Sequence, residues 1–257
     1  MDTLELARRM AVIGDGGPIY REFIHDAVVH EPWNAYSSLF FLVPVFYWIW
    51  KLWGQFKDYK IFLAILPLLA LNGIGSTLYH AFRTERIFLL LDWMPATFMV
   101  VTLSSYLWTK LVRKWYWGLM IVIGFYGLGI LGVITLIQVF ENRALAPNFG
   151  YFFIGASFIV PLLILLTQTR FYRGYLVLLT FVFLMGALVA RTLDYPSPDP
   201  FPGLLPQGTH FLWHILSALA DFSLGYYVYF THKINLRKPE TYPERALPRR
   251  LREVYHS

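Results

Sequence analysis

WYWGLMIVIGFYGLGILGVITLIQ, residues 115–138, is a run of 24 residues without one Asp, Glu, Lys or Arg. At the rise of an α-helix it reaches across the roughly 30 Å hydrocarbon core of a bilayer, where only a helix or a closed barrel satisfies its own backbone groups. Six more segments read the same way, at about 35–53, 61–82, 87–107, 148–167, 174–192 and 209–231. The expected fold is therefore all-α: an integral membrane bundle of seven transmembrane helices.

Composition agrees, since 57% of the 257 residues are hydrophobic, 15% are charged and the mean hydropathy is +0.49, outside the range of soluble domains. The expected organisation is a single seven-helix domain over 1–257, with an outer N-terminal segment, 1–34, and a basic tail, 233–257. The N-terminal residues contain no apolar core of signal-peptide length, so the first span is expected to act as the insertion signal. No internal repeat is evident.

The formal charge of +6 does not point to nucleic acid, because the basic residues sit in short loops and a tail beside apolar spans. Positive-inside orientation accounts for them. Placing the C-terminal face in the cytoplasm puts 15 Lys/Arg inside and 7 outside, which predicts an outer N-terminus and a tail attracted to anionic lipid. Trp48, Trp50, Trp53, Trp115 and Trp117 then lie near the cytoplasmic ends, as an interfacial belt would. Pro44, Pro67, Pro95 and Pro161 fall inside spans, where each removes a backbone donor. The connector YPSPDPFPGLLPQG, 195–208, is expected to form a rigid outer loop that covers the site described next.

Ionisable groups inside spans are costly and mark either a site or a compensating pair. GIGSTLYHAF, 73–82, puts Ser76 and His80 four residues apart on one helix face, and RIFLLLDWMPATF, 86–98, carries Asp92 just inside the next span. GTHFLWHILSALADF, 208–222, gives His210 and His214 the i, i+4 spacing that lets two imidazoles address one ion. The end of span two and the starts of spans three and seven share the outer leaflet. Three histidines, an aspartate and a serine can meet there.

Cysteine is absent, so a metal would be held by nitrogen and oxygen. Three neutral imidazoles leave one tetrahedral position for water, the arrangement of a catalytic zinc rather than a structural one. Asp92 would serve as general base and the Ser76 hydroxyl as donor to an oxyanion. Asp221, two turns beyond His214, could stand behind a ligand, carry protons or pair with a hydroxyl, and the structural role is favoured. Arg191 and Asp194 read as a pair at the outer boundary. His25, His30, His232 and His256 fall in polar segments, where solvation is expected.

EPWNAYSSLFFL at 31–42, GIGSTLYHAF, LLLDWMP at 89–95 and GTHFLWHILSALADF together resemble the alkaline ceramidase family. That family lies within the superfamily of seven-helix zinc hydrolases that includes adiponectin-receptor-like proteins. The resemblance implies a zinc amidase with His80, His210 and His214 as metal ligands and Ser76 and Asp92 as catalytic residues. It would cleave the amide of ceramide, a membrane lipid substrate, to a fatty acid and a sphingoid base. Some family members bind calcium near the N-terminus. Here the comparable stretch, IYREFI at 19–24, keeps Tyr20 and Glu22, with Glu31 and Asn34 further on, but Ile19 and Ile24 replace two oxygen ligands. Calcium wants six to eight oxygens, so this argues against it, and Glu31 and Asn34 are expected to hold the outer segment against the bundle. The remaining readings are hydrolysis of another acyl lipid, such as a phospholipid, and a seven-helix receptor in which zinc only fastens helices. No obligate protein partner is evident.

Overall fold

All regular structure among the described residues is helical in the computed structural model, which describes residues 13–140, 146–194, 203–236, 238, 241 and 243. The helices are α1, Pro32–Ser38; α2, Leu42–Lys51; α3, Lys60–Phe82; α4, Arg86–Val112; α5, Trp115–Gln138; α6, Ala146–Gln168; α7, Gly174–Leu193; and α8, His210–Thr231. Four of them, α3, α4, α5 and α7, are long and apolar enough to cross a membrane. In the most apolar window of α5 only 11% of residues are buried, and Ile130 and Leu131 are 60% exposed. Helices that turn their apolar side chains outward fit a hydrocarbon solvent better than water.

The first apolar segment departs from the expected continuous span. It is broken into α1 and α2 by a 3-10 turn, Leu39–Phe41. Pro44 follows within the first turn of α2, and its missing N–H removes one of the bonds that would carry a continuous α-helix through this point. Pro67, Pro95 and Pro161 lie inside α3, α4 and α6 as read from the sequence. In α8 the hydropathy is lowered by His210, His214 and Asp221 themselves. Residues 195–202 of the proline-rich connector, like His256 and most of the basic tail, lie outside the described residues.

Two compact units emerge, one of Met1–Met99 with Tyr175–Tyr229 and the other of Val100–Gly174 with Phe230–Ser257. In the first, Phe41, Val45, Leu69 and Ala218 form a buried cluster. Trp48 is also buried there, at 2% exposure, against Phe62, Tyr226 and Tyr229, so it belongs to the core and not to a belt. Trp50, Trp53, Trp115 and Trp117 are exposed. Gly75 lets α3 and α4 touch, because a Cβ there would stand 2.3 Å from the carbonyl oxygen of Leu91. That contact lies next to Ser76 and Asp92 in sequence.

In the second unit, α5 and α6 pack together at Gly129, where a Cβ would come within 3.2 Å of Phe153. Trp108 Nε1 donates to the Ser157 carbonyl at 2.9 Å. Lys110 Nζ donates to the carbonyls of Thr231, His232 and Ile234 at 2.9–3.0 Å, satisfying acceptors at the end of α8 that no helical N–H reaches.

Candidate metal centre

His80 stands in the last turn of α3, and the segment before α1 closes that helix end. The N–H groups of His30 and Glu31 donate to the carbonyls of Ala81 and His80 at 2.9 and 3.1 Å. Arg83 follows in the left-handed region, φ 52°, and ends the helix. The same segment starts α1, with Pro32 at its first position, while Glu22 accepts the N–H groups of Trp33 and Asn34 at 2.8 and 2.9 Å. A carboxylate facing the first free N–H groups of a helix is favourable both as acceptor and against the helix dipole. Burial pushes the Glu22 carboxyl up from its ordinary value, against those two hydrogen bonds.

His210 and His214 stand in the first two turns of α8. The start of that helix is fixed by Asp194, whose Oδ1 accepts the N–H groups of Thr209 and His210 at 2.7 and 2.9 Å and whose Oδ2 accepts that of Arg21 at 3.2 Å. Asp194 therefore holds backbone rather than pairing with Arg191, whose guanidinium lies over the Trp213 ring at 5.1 Å. Gly208, at φ +77°, is required here, because a Cβ would stand 2.1 Å from Asp194 Oδ1.

The three histidines come together. Their ring centroids are 4.7–5.1 Å apart, all three are at most 2% exposed, and one ring nitrogen from each lies within 4.8 Å of the other two. An equilateral triangle of that limiting size has its corners about 2.8 Å from the centre, roughly 0.7 Å beyond a metal–imidazole bond of about 2.1 Å, a gap that small ring rotations close.

Two of the rings are oriented for a ligand. His80 Nδ1 faces Glu31 Oε2 at 2.5 Å, and a carboxylate there selects the tautomer with the proton on Nδ1. Nε2 of His80 is then the lone-pair atom, and it is buried without a hydrogen-bond partner among the described residues. His214 Nδ1 lies 2.8 Å from Ser37 Oγ and 3.3 Å from Ser38 Oγ, while both hydroxyls also reach the Asn34 carbonyl. With Ser37 donating to that carbonyl, its oxygen accepts from His214 Nδ1–H, and Nε2 is again left for a ligand. Nδ1 of His210 is buried and also without a hydrogen-bond partner. Orphaned buried nitrogens cost free energy unless a ligand engages them. This donor set fits a metal ion.

Ser76 and Asp92 adjoin the trio. The Ser76 hydroxyl accepts from Ser38 Oγ at 3.0 Å, and the Asp92 carboxyl lies close enough to both Ser76 and His80 to interact with them. Asn72 Nδ2 donates to the Asp92 carbonyl. Tyr20 packs its ring on His210 at 4.0 Å and on His80 at 5.0 Å, and burial, then the neighbouring Asp92, pushes its hydroxyl well up. Asp221 is half-buried and shares no hydrogen bond or ion pair with the histidines.

The residues matched to a calcium site are otherwise engaged. Glu31 Oε1 accepts from Arg83 Nη1, and Oε2 accepts from Asn34 Nδ2 at 3.3 Å besides facing His80. Arg83 also donates from Nε to Asp15 at 2.7 Å and from Nη2 to the Pro18 carbonyl at 2.9 Å. Burial alone would lower its pKa, but Glu31 and Asp15 outweigh it and raise it. A guanidinium already neutralises these carboxylates, and Glu22 is spent on backbone N–H groups, so the set does not fit calcium. Sequence reading missed Asp15, Ser37, Ser38 and Arg83. Both serines stand within EPWNAYSSLFFL, and Arg83 is three residues past His80.

His30 and His232, read as solvated, are half-exposed, and each also makes a hydrogen bond, with Nδ1 2.9 Å from the Ile24 carbonyl in one and from the Tyr106 hydroxyl in the other.

The protein is thus a helical, membrane-type chain whose buried His80, His210 and His214 could hold a metal ion. No family model and no curated protein matches the chain.

Proposed function

We propose that this chain is a seven-helix integral membrane hydrolase of the alkaline ceramidase type. It uses zinc at His80, His210 and His214 to cleave the amide of ceramide, or of a related sphingolipid, to a fatty acid and a sphingoid base. The observation that carries the reading is the buried imidazole trio with a carboxylate and a serine beside it. In this reading α6, α8 and the broken α1–α2 segment cross the bilayer together with the four membrane-length helices, with the N-terminus outside and the C-terminus cytoplasmic.

Zinc, when bound, supplies a Lewis acid for the amide carbonyl and brings a water's pKa down to about 7. The chain's own residues do the rest. Glu31 and the Ser37–Ser38 pair hold the His80 and His214 rings in the tautomer that binds. Asp92 accepts the proton released by the attacking water. Once it is protonated, its carboxyl competes less for the Ser76 hydrogen, which then turns to the developing oxyanion. Tyr20 covers the rings and keeps bulk water from them.

Elemental analysis of the purified full chain, combined with a panel of ceramides and glycerolipids, tests this. About one zinc per chain with release of fatty acid from ceramide is expected. Cleavage of glycerolipids alone would move the substrate to another acyl lipid, metal without hydrolysis would favour a receptor with structural zinc, and absence of metal would overturn the reading.

A further inference from the structure

The imidazole trio is drawn from two helices, with one ring at the end of α3 and two at the start of α8. Those two helix ends must keep one spacing if three nitrogens are to meet a single ion. One bridge between them is α1, where Ser38 reaches both Ser76 of α3 and His214 of α8. A second bridge, at the outer ends of both helices, is the chain segment 15–21, which supplies none of the three imidazoles.

The first half of that segment is fastened to α3. Asp15 accepts from Arg83 Nε at 2.7 Å and from Nη2 at 3.3 Å, and the Pro18 carbonyl accepts from Nη2 at 2.9 Å. Gly17 lies so close to the helix that a Cβ would stand 2.2 Å from the Tyr79 hydroxyl oxygen. The far end is fastened to α8, because the Arg21 N–H donates to Asp194, the carboxylate that also holds the N–H groups of Thr209 and His210. Between the two anchors, the Tyr20 ring rests on His80 from one helix and on His210 from the other.

Asp15 and Arg83 are 2% and 1% exposed. A buried ion pair is often no more stabilising than apolar side chains of the same volume, so stability alone is a poor account of this one. What the guanidinium supplies is direction, since its planar fork faces Asp15 along one edge and gives Nη1 to Glu31, the carboxylate behind His80. We infer that residues 15–21 clamp α3 to α8 across the metal centre, with Asp15 and Arg83 as positioning residues. Asp15 fixes the fork, the fork fixes Glu31, and Glu31 fixes the His80 ring. The clamp rests on the three histidines holding a metal, as in the proposed function, and not on which lipid is cleaved.

Cobalt(II), whose visible absorption follows ligand geometry, tests this in the purified full chain. Asp15→Asn keeps the shape of the side chain and removes the charge that holds the fork. Its cobalt affinity, read by competition with a chelator, is expected to fall about 10-fold, and its visible bands should move from their wild-type positions. Trp108→Phe removes the hydrogen bond to Ser157 in the other unit and should keep wild-type affinity and bands, whatever it does to the unfolding midpoint. If Asp15→Asn does not fold, Tyr20→Leu, which takes the ring off His80 and His210, carries the comparison with the same expected losses. Wild-type affinity and bands in the clamp variant, or an equal change in Trp108→Phe, overturn the clamp and leave the metal reading standing. A wild-type chain that binds no metal overturns the clamp and the proposed function together.

Discussion

His80 Nδ1 and Glu31 Oε2 stand 2.5 Å apart, with both side chains fully buried. A carboxylate behind a ligating imidazole fixes its tautomer and makes the opposite nitrogen a better donor. Glu31→Gln keeps the shape but removes the charge. Metal affinity is expected to fall about 10- to 100-fold, read by competition with a chromogenic chelator. Unchanged affinity would show that Glu31 serves only Arg83.

His214→Ala and His80→Ala should each lower bound metal from about one equivalent to near zero. Elemental analysis after dialysis checks this. Retention of a full equivalent in either folded variant would remove that histidine from the ligand set.

Asp92→Asn keeps the hydrogen-bonding shape of the side chain and loses the base. Metal content should stay at the wild-type level while ceramide turnover falls at least about 100-fold. Equal turnover would take Asp92 out of proton transfer.

Arg83 is 1% exposed and its guanidinium joins Asp15 to Glu31. Arg83→Met strands two buried carboxylates and is expected to cost about 3–5 kcal/mol. Adding Asp15→Asn should recover part of that loss, because one stranded charge disappears, and thermal unfolding in detergent measures both variants. Strictly additive losses would argue against the ion pair.

Gly75→Ala drives a methyl group into the Leu91 carbonyl. Parting α3 from α4 should cost about 1–3 kcal/mol and lower turnover further by shifting Ser76 from Asp92. Wild-type stability and turnover would mean that the helix contact yields without consequence.

The helices and the imidazole trio were legible because both are written in local periodicity. Long apolar runs announce α3, α4, α5 and α7, and the spacings Ser76–His80 and His210–His214 place pairs on one face. What stayed hidden depends on partners far along the chain. Nothing near Arg83 reveals that Asp15 will meet it, and Asp194 beside Arg191 suggests a pair until the start of α8 claims its oxygens. The break at Leu39–Phe41 was obscured because its residues are as apolar as those of an unbroken helix. Trp48 looked like an interfacial residue because sequence position gives depth but not which side of the helix is covered.

Ser37 and His214 bond across 177 residues of sequence. At the usual pace of synthesis, about 5–20 residues per second, the ribosome needs on the order of 10–35 s to go from one to the other. During that time the early half of the pocket waits with its histidine partners unmade. On the proposed reading, metal loading comes after the last helix has left the ribosome, because a nascent chain stalled before α8 would offer one imidazole of the trio where the finished protein offers three.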